Sequence, residues 1–211
     1  MKKLYLDKKR DLTKLKSQSI TLFPSKKMSS TVFTECPLEA NFCYYLEFDD
    51  EIDRYESQPL GYYFQFKNDT HVFTPDFEVF SKNKSFYYEV QSKIQAANQS
   101  DFLGYFNAAR AQAKRLNKDL FLVKECWIRR SPHFQNLMQL YRCIQVEYSH
   151  DFLLRIKDKL TFNKILTISE LIELHSELAC VYRLIAEKVL TLEFPNECLG
   201  VNSRVLWSND E

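Results

Sequence analysis

Thr74-Pro75-Asp76-Phe77, followed beyond the charged turn Ser81-Lys82-Asn83-Lys84 by Phe86-Tyr87-Tyr88-Glu89-Val90-Gln91, is the stretch whose reading decides the fold. Pro75 has no amide donor and keeps Thr74 out of the helical region, so Asp76 stands in extended or turn backbone at the entry to an apolar run. The aromatic and β-branched residues around it predict one strand over 71–80, a hairpin-type turn, and a second strand over 85–91. Side chains alternate along a strand, so Glu89, Gln91 and Lys93 share one face while Tyr88, Val90 and Ser92 share the other. If the two strands pair antiparallel, Asp76 and Glu89 reach a common point, where the Val90 carbonyl offers a further oxygen. Mg²⁺ prefers hard oxygen ligands and takes few carboxylates, so this set suits it.

Working outward, Pro37-Leu38-Glu39 opens a helical pattern with Leu38, Phe42, Tyr45 and Leu46 on one face. Glu39 is a third carboxylate for the same site, with Glu35 and Glu47 as neighbours able to take its place. Tyr62-Tyr63-Phe64-Gln65-Phe66 is an aromatic strand, and its rings serve as core or as stacking surfaces for bases. A second helix over 101–117 and a strand over 120–127 complete a mixed α/β core, a small sheet flanked by helices. Ile128-Arg129-Arg130-Ser131-Pro132 reads as a boundary. Beyond it lie helices over 134–146, 151–160 and 176–188, a capping box at Thr167-Ile168-Ser169-Glu170, and a strand–turn–strand end, which is a winged-helix order. The domains are thus a basic arm over 1–24, a core domain over 25–130 and a small module over 131–211.

With 211 residues, 45% hydrophobic and 15% aromatic, the chain has material for real cores. Only 3 glycines are present and no Gly-rich phosphate loop occurs. The net charge is +1, yet Lys2, Lys3, Lys8, Lys9, Arg10, Lys14, Lys16, Lys26 and Lys27 crowd the first 27 positions. That arm, with Arg129, Arg130 and Arg142, supplies candidate contacts to a polyanion such as DNA. The six cysteines and four histidines show no zinc-ligand spacing. No apolar stretch follows the N-terminus and no run of about 18 apolar residues exists, so a cytoplasmic protein is expected.

The pattern Pro37-Leu38-Glu39, Leu46-Glu47-Phe48-Asp49, Tyr55-Glu56-Ser57-Gln58-Pro59-Leu60, Thr74-Pro75-Asp76-Phe77 and Tyr88-Glu89-Val90-Gln91 resembles the PD-(D/E)XK nuclease superfamily. Within it, the pattern is most similar to the TnsA-type endonuclease subunit of heteromeric Tn-seven-like transposases, including CRISPR-associated ones. The resemblance covers residues 25–130, and the layout downstream is similar to that family's winged-helix domain. It implies a restriction-endonuclease-like fold and a catalytic set of Glu39, Asp76 and position 91, with Glu89 on the same strand face. It implies Mg²⁺, or Mn²⁺ in its place, held by Asp76, Glu89 and the Val90 carbonyl, with Glu39 on a second ion or on the first ion's waters. The activity implied is nicking of double-stranded DNA at the 5′ transposon ends, leaving 5′ phosphate and 3′ hydroxyl. A DDE-type transposase would cut and join the 3′ ends, and an AAA+ ATPase regulator would dock on the C-terminal module, whose helix over 176–188 has few basic residues.

Position 91 departs from the family pattern: Gln91 stands where a lysine would orient water and stabilise phosphate charge. Gln91 retains hydrogen-bonding capacity, and Lys93, two residues on, is a substitute source of charge. Two other readings remain: a stand-alone restriction or repair-type nuclease, and a non-catalytic DNA- or protein-binding adaptor on a dead nuclease core.

Overall fold

The computed structural model describes residues 4–9, 20–93, 101–173 and 177–208. The chain divides into two compact units, Met1–Arg129 and Arg130–Glu211.

The first unit is built on a four-stranded sheet of β3 (Arg54–Ser57), β6 (Phe77–Ser81), β7 (Lys84–Gln91) and β8 (Asp119–Lys124), in the order β3-β6-β7-β8. The first two pairings are antiparallel, with Phe77 opposite Tyr88, and β7–β8 is parallel, with Gln91 opposite Lys124. A parallel pair cannot be joined by a hairpin. The chain between β7 and β8 includes the helix α2 (Phe102–Arg115), which serves that crossover. The sheet is therefore mixed and flanked by helices. Helix α1 (Pro37–Phe48) lies on one face, where Phe42 meets Phe77 and Tyr88. On the other face Tyr87 and Leu120 join Phe106, Ala109 and Ala113 of α2 in a buried cluster. Tyr62, Phe64 and Phe73 of the separate hairpin β4 (Tyr62–Phe66) and β5 (Asp69–Phe73) complete it, so these rings are core. Each such fully buried aromatic contributes on the order of 1.5–3 kcal/mol.

Three expectations change. The single strand expected over 71–80 is two strands in different sheets, because the chain leaves β5 at Phe73 and enters β6 at Phe77. Thr74-Pro75-Asp76 is the crossing, as a proline without an N–H would allow. The strand expected over 120–127 ends at Lys124, and Glu125–Ile128 forms the short helix α3. The arm expected over 1–24 is partly structured: Thr21–Ser25 is β1, paired with β2 (Ser30–Thr34), and residues 4–6 lie along β4. Lys2, Lys3, Arg10, Lys14 and Lys16 of the arm lie outside the described residues.

Leu6 N–H donates to the Gly61 carbonyl at 2.9 Å, and this close approach needs a residue without a side chain. A Cβ at Gly61 would stand 2.6 Å from Thr74 Oγ1 and 2.9 Å from the Phe73 carbonyl oxygen. Since main chain cannot yield as a side chain does, Gly61→Ala is expected to cost about 1–3 kcal/mol, read as a lowered denaturation midpoint. An unchanged midpoint would refute the close-packing account.

The second unit runs α4 (His133–Cys143), α5 (His150–Asn163), β9 (Ile165–Thr167), α6 (Ile168–Ile172), α7 (Leu178–Ala186), β10 (Leu190–Leu192) and β11 (Arg204–Trp207). Its three strands form an antiparallel sheet in the order β10-β11-β9. Thr167 and Glu170 cap α6 reciprocally, as their spacing predicts. Asn136, which sequence reading passed over, is buried and clamps the stretch before β11. Its Nδ2 donates to the Glu197 carbonyl at 2.7 Å, and its Oδ1 accepts from the Leu199 N–H at 2.9 Å.

Candidate functional site

Asp76 sits just before the first residue of β6, and its position follows from the register. Continuing the Phe77–Tyr88 pairing by one step sets Asp76 across from Glu89. Phe77 turns toward α1, so alternation gives Asp76 the opposite face, shared with Glu89 and Gln91. Asp76 Oδ2 accepts from the Val90 N–H at 2.7 Å, and Oδ1 accepts from Gln58 Nε2 at 3.3 Å. Sequence reading expected the Val90 carbonyl to serve the site; the contact seen is its N–H. In a strand the N–H and C=O of one residue turn to the same neighbour. β6 pairs with β7 only as far as Tyr88, so the Val90 carbonyl faces past the end of that ladder, on the Asp76 side.

Glu39 belongs to the first turn of α1, after the N-cap residue Cys36 and Pro37. It is 5% exposed. One oxygen accepts from the Glu35 N–H at 2.8 Å and the other from the Cys36 thiol at 3.3 Å. Glu39 thus satisfies one amide and one thiol just before the helix, a structural role that coexists with its place near the other acids. Burial and the Glu39 carboxylate push the Cys36 thiol up to about 12. Glu47, an alternative to Glu39, is committed elsewhere: it accepts from Tyr55 OH at 2.7 Å, Ser25 Oγ at 2.5 Å and the N–H groups of Lys26 and Lys27.

The acids form one electrostatic cluster. Burial holds Asp76 well above the usual carboxylate range, and the nearby Glu39 charge adds to it. Glu89 is raised likewise, first by burial and then by Asp76, Glu39 and Glu35. Glu39 is raised by burial, opposed by the Glu35 N–H and by hydrogen bonds from Cys36 and Gln58. Like charges gathered out of water disfavour ionisation, and a cation or a proton relieves them.

Among the described residues, no three His, Cys, Asp or Glu side chains stand close enough to hold a metal by themselves. A donor set of two carboxylates and a main-chain carbonyl does not need a third. Two buried oxygens there, Glu89 Oε2 and Gln58 Oε1, have no hydrogen-bond partner among the described residues. Unpartnered hard oxygens beside raised carboxylates fit a divalent ion.

The remaining predicted site residues are distributed as follows. Gln91 is 6% exposed, ends β7 on the Glu89 face, and its Nε2 has no partner among the described residues. Lys93 does not continue that face. β7 ends at Gln91, and the Lys93 N–H donates to Glu125 at 3.0 Å, so the chain has turned out of the sheet. Lys27, expected at DNA, donates through Nζ to the carbonyls of Asp49 and Ile52 at 2.6 and 2.7 Å, at the C-terminal end of α1. Lys26 is exposed. Arg129 is exposed and paired with Glu125 at 2.8 Å, and Arg130 is exposed at the start of the second unit.

Sequence reading missed the role of Gln58. It is 3% exposed, and its N–H donates to the Asp76 carbonyl at 2.8 Å besides the side-chain contact. The signal available was a polar residue wedged between a strand and Pro59, which favours a turn without saying where the amide points. No protein-family profile matches this chain, and no curated protein matches it. No helix among the described residues is long and apolar enough to cross a membrane.

Proposed function

We propose that this protein is a divalent-metal-dependent DNA endonuclease of the PD-(D/E)XK type. In that reading it nicks the 5′ ends of a transposon as one subunit of a heteromeric transposase, beside a DDE-type transposase. The observation that carries the reading is the placing of Asp76 across from Glu89 at the end of the β6–β7 ladder, with Gln91 on the same face and the buried Glu39 within electrostatic reach. The mixed sheet between α1 and α2 supports the restriction-endonuclease-like fold.

Asp76, Glu89 and the Val90 carbonyl would hold the ion, Mg²⁺ or Mn²⁺. When bound, such an ion supplies charge for the scissile phosphate and a water of lowered pKa. The chain's own groups do the rest. Val90 N–H and Gln58 fix the Asp76 carboxylate, Glu39 fixes the helix start against it, and Gln91 Nε2 is free to donate to a phosphate oxygen or to the attacking water.

The second unit supports a winged-helix reading through its order, after the leading helix α4, of helix, strand, two helices and a hairpin, with the lone strand β9 on the outer side of β11. Within α7, Arg183 pairs with Glu187 at the end of the same helix. A charge used locally is less available to phosphate, which favours docking of a protein, the AAA+ regulator, over base reading.

The experiment is strand nicking on duplex DNA carrying transposon ends, with the partner transposase and Mg²⁺. Wild type should open the 5′ ends, and Glu89→Gln should leave them intact. Intact ends with wild type, or equal cutting by both proteins, would remove the reading. Cutting of plain duplex by the isolated protein would point to a stand-alone nuclease instead. The non-catalytic adaptor is favoured by the uncharged Gln91 and by the capping role of Glu39; it predicts that neither protein binds Mn²⁺.

A further inference from the structure

We infer that Gln58 is a positioning residue of the acid site, held in a strained backbone conformation so that its buried amide group fixes the Asp76 carboxylate. This deepens the metal-site reading above and rests on it.

Eight non-glycine residues among those described have positive φ, and seven of them are exposed, at turns and helix ends. Gln58 is the buried one, at φ 46°, directly before Pro59. The left-handed region is costly for a residue with a Cβ, and a residue preceding proline normally stays extended. Strain at such a position persists only where surrounding contacts over-determine it. Here the contacts lead to Asp76: Gln58 N–H meets its carbonyl at 2.8 Å and Gln58 Nε2 meets its Oδ1 at 3.3 Å.

This arrangement gives Gln58 two effects. Its amide donor, with the Val90 N–H on the other oxygen, holds the Asp76 carboxylate in one orientation at the end of the β6–β7 ladder. Its Oε1, buried and without a partner among the described residues, is left as a neutral acceptor at the edge of the cluster, suited to a water bound to the ion. Groups that orient metal-binding carboxylates in this manner control affinity without touching the ion.

The structural and positioning roles predict different outcomes for the same substitution. Gln58→Gly keeps the main-chain hydrogen bond to Asp76, relieves the left-handed strain and deletes the amide. Without metal it should melt at or above the wild-type temperature. Its affinity for Mn²⁺, measured by titration calorimetry on the full chain, should nonetheless fall roughly 10–100-fold. Gln58→Asn tolerates the left-handed region but carries its amide one methylene short, and should show the same weakened binding if the glycine variant does not fold. Wild-type Mn²⁺ affinity in either variant would overturn the positioning role and leave the metal site standing. Absence of Mn²⁺ binding in wild type itself would overturn the metal-site reading and this inference with it.

Discussion

Asp76→Asn is expected to abolish nicking, by about 10³-fold or more, while making the metal-free protein more stable by about 0.5–2 kcal/mol. Both effects have one cause. The Asp76 carboxylate is buried beside Glu39 and Glu89, and its charge is unfavourable to the fold until a cation shares the site. The substituted side chain keeps an oxygen for the Val90 N–H and, with the Gln58 amide turned over, a partner there too, so the change removes charge and little else.

The sign follows from the direction of the shifts. Asp76, Glu89 and Glu39 are all raised in the folded state, so the fold binds protons that the unfolded chain releases. Their contribution to stability is fully present below the unfolded carboxylate range, about pH 4, and is lost as pH rises through the raised values. Melting temperature in chelator should therefore fall from acid toward neutral pH in wild type, and fall less in Asp76→Asn. Millimolar Mg²⁺ should restore it in wild type alone. A wild-type melting curve indifferent to both pH and Mg²⁺ would refute the cluster's electrostatics, and undiminished nicking by Asp76→Asn would refute its chemistry.

The elements that were legible in the sequence are those with a local cause. The Thr167–Glu170 cap, the helix beginning at Pro37 and the Lys84–Gln91 strand each depend on residues within a turn or on simple alternation. The face shared by Asp76, Glu89 and Gln91 was legible for the same reason, since period-two alternation and a hairpin fix it. What escaped depends on distant partners. The switch of sheets at Thr74-Pro75-Asp76 needs the β3 edge to receive β6, and the use of Glu47 as an anchor needs Ser25 and Tyr55 to reach it. Lys93 was placed on the strand face because alternation has no term for where a strand stops; Glu125, 32 residues on, takes its amide. Gln58 needed knowledge of φ, which a sequence does not carry.

Gln91→Ala is expected to slow nicking about 10²-fold, whereas Lys93→Ala should leave the rate within several-fold of wild type. Gln91 fills the slot of the missing lysine, and Lys93, the substitute source of charge expected from the sequence, lies beyond the end of β7. Gln91 is buried on the face of Glu89, and its Nε2 donates to nothing among the described residues, so its hydrogen-bonding capacity is unspent. Leaving a buried donor unpaired costs about 1–3 kcal/mol, a cost that a phosphate oxygen or an attacking water at this position would remove. That gain is realised only when substrate is bound, which is the condition for a group to accelerate the chemical step rather than hold the fold. Gln91→Ala should accordingly melt no lower than wild type while losing rate. Gln91→Lys separates charge from geometry: an ammonium there shares a strand face with Glu89 and Asp76, and should stabilise the metal-free protein while retaining nicking. Single-turnover rates for the three variants decide the matter. Equal rates for Gln91→Ala and wild type would move the phosphate contact to another residue, and a collapse in Lys93→Ala alone would return it to the lysine.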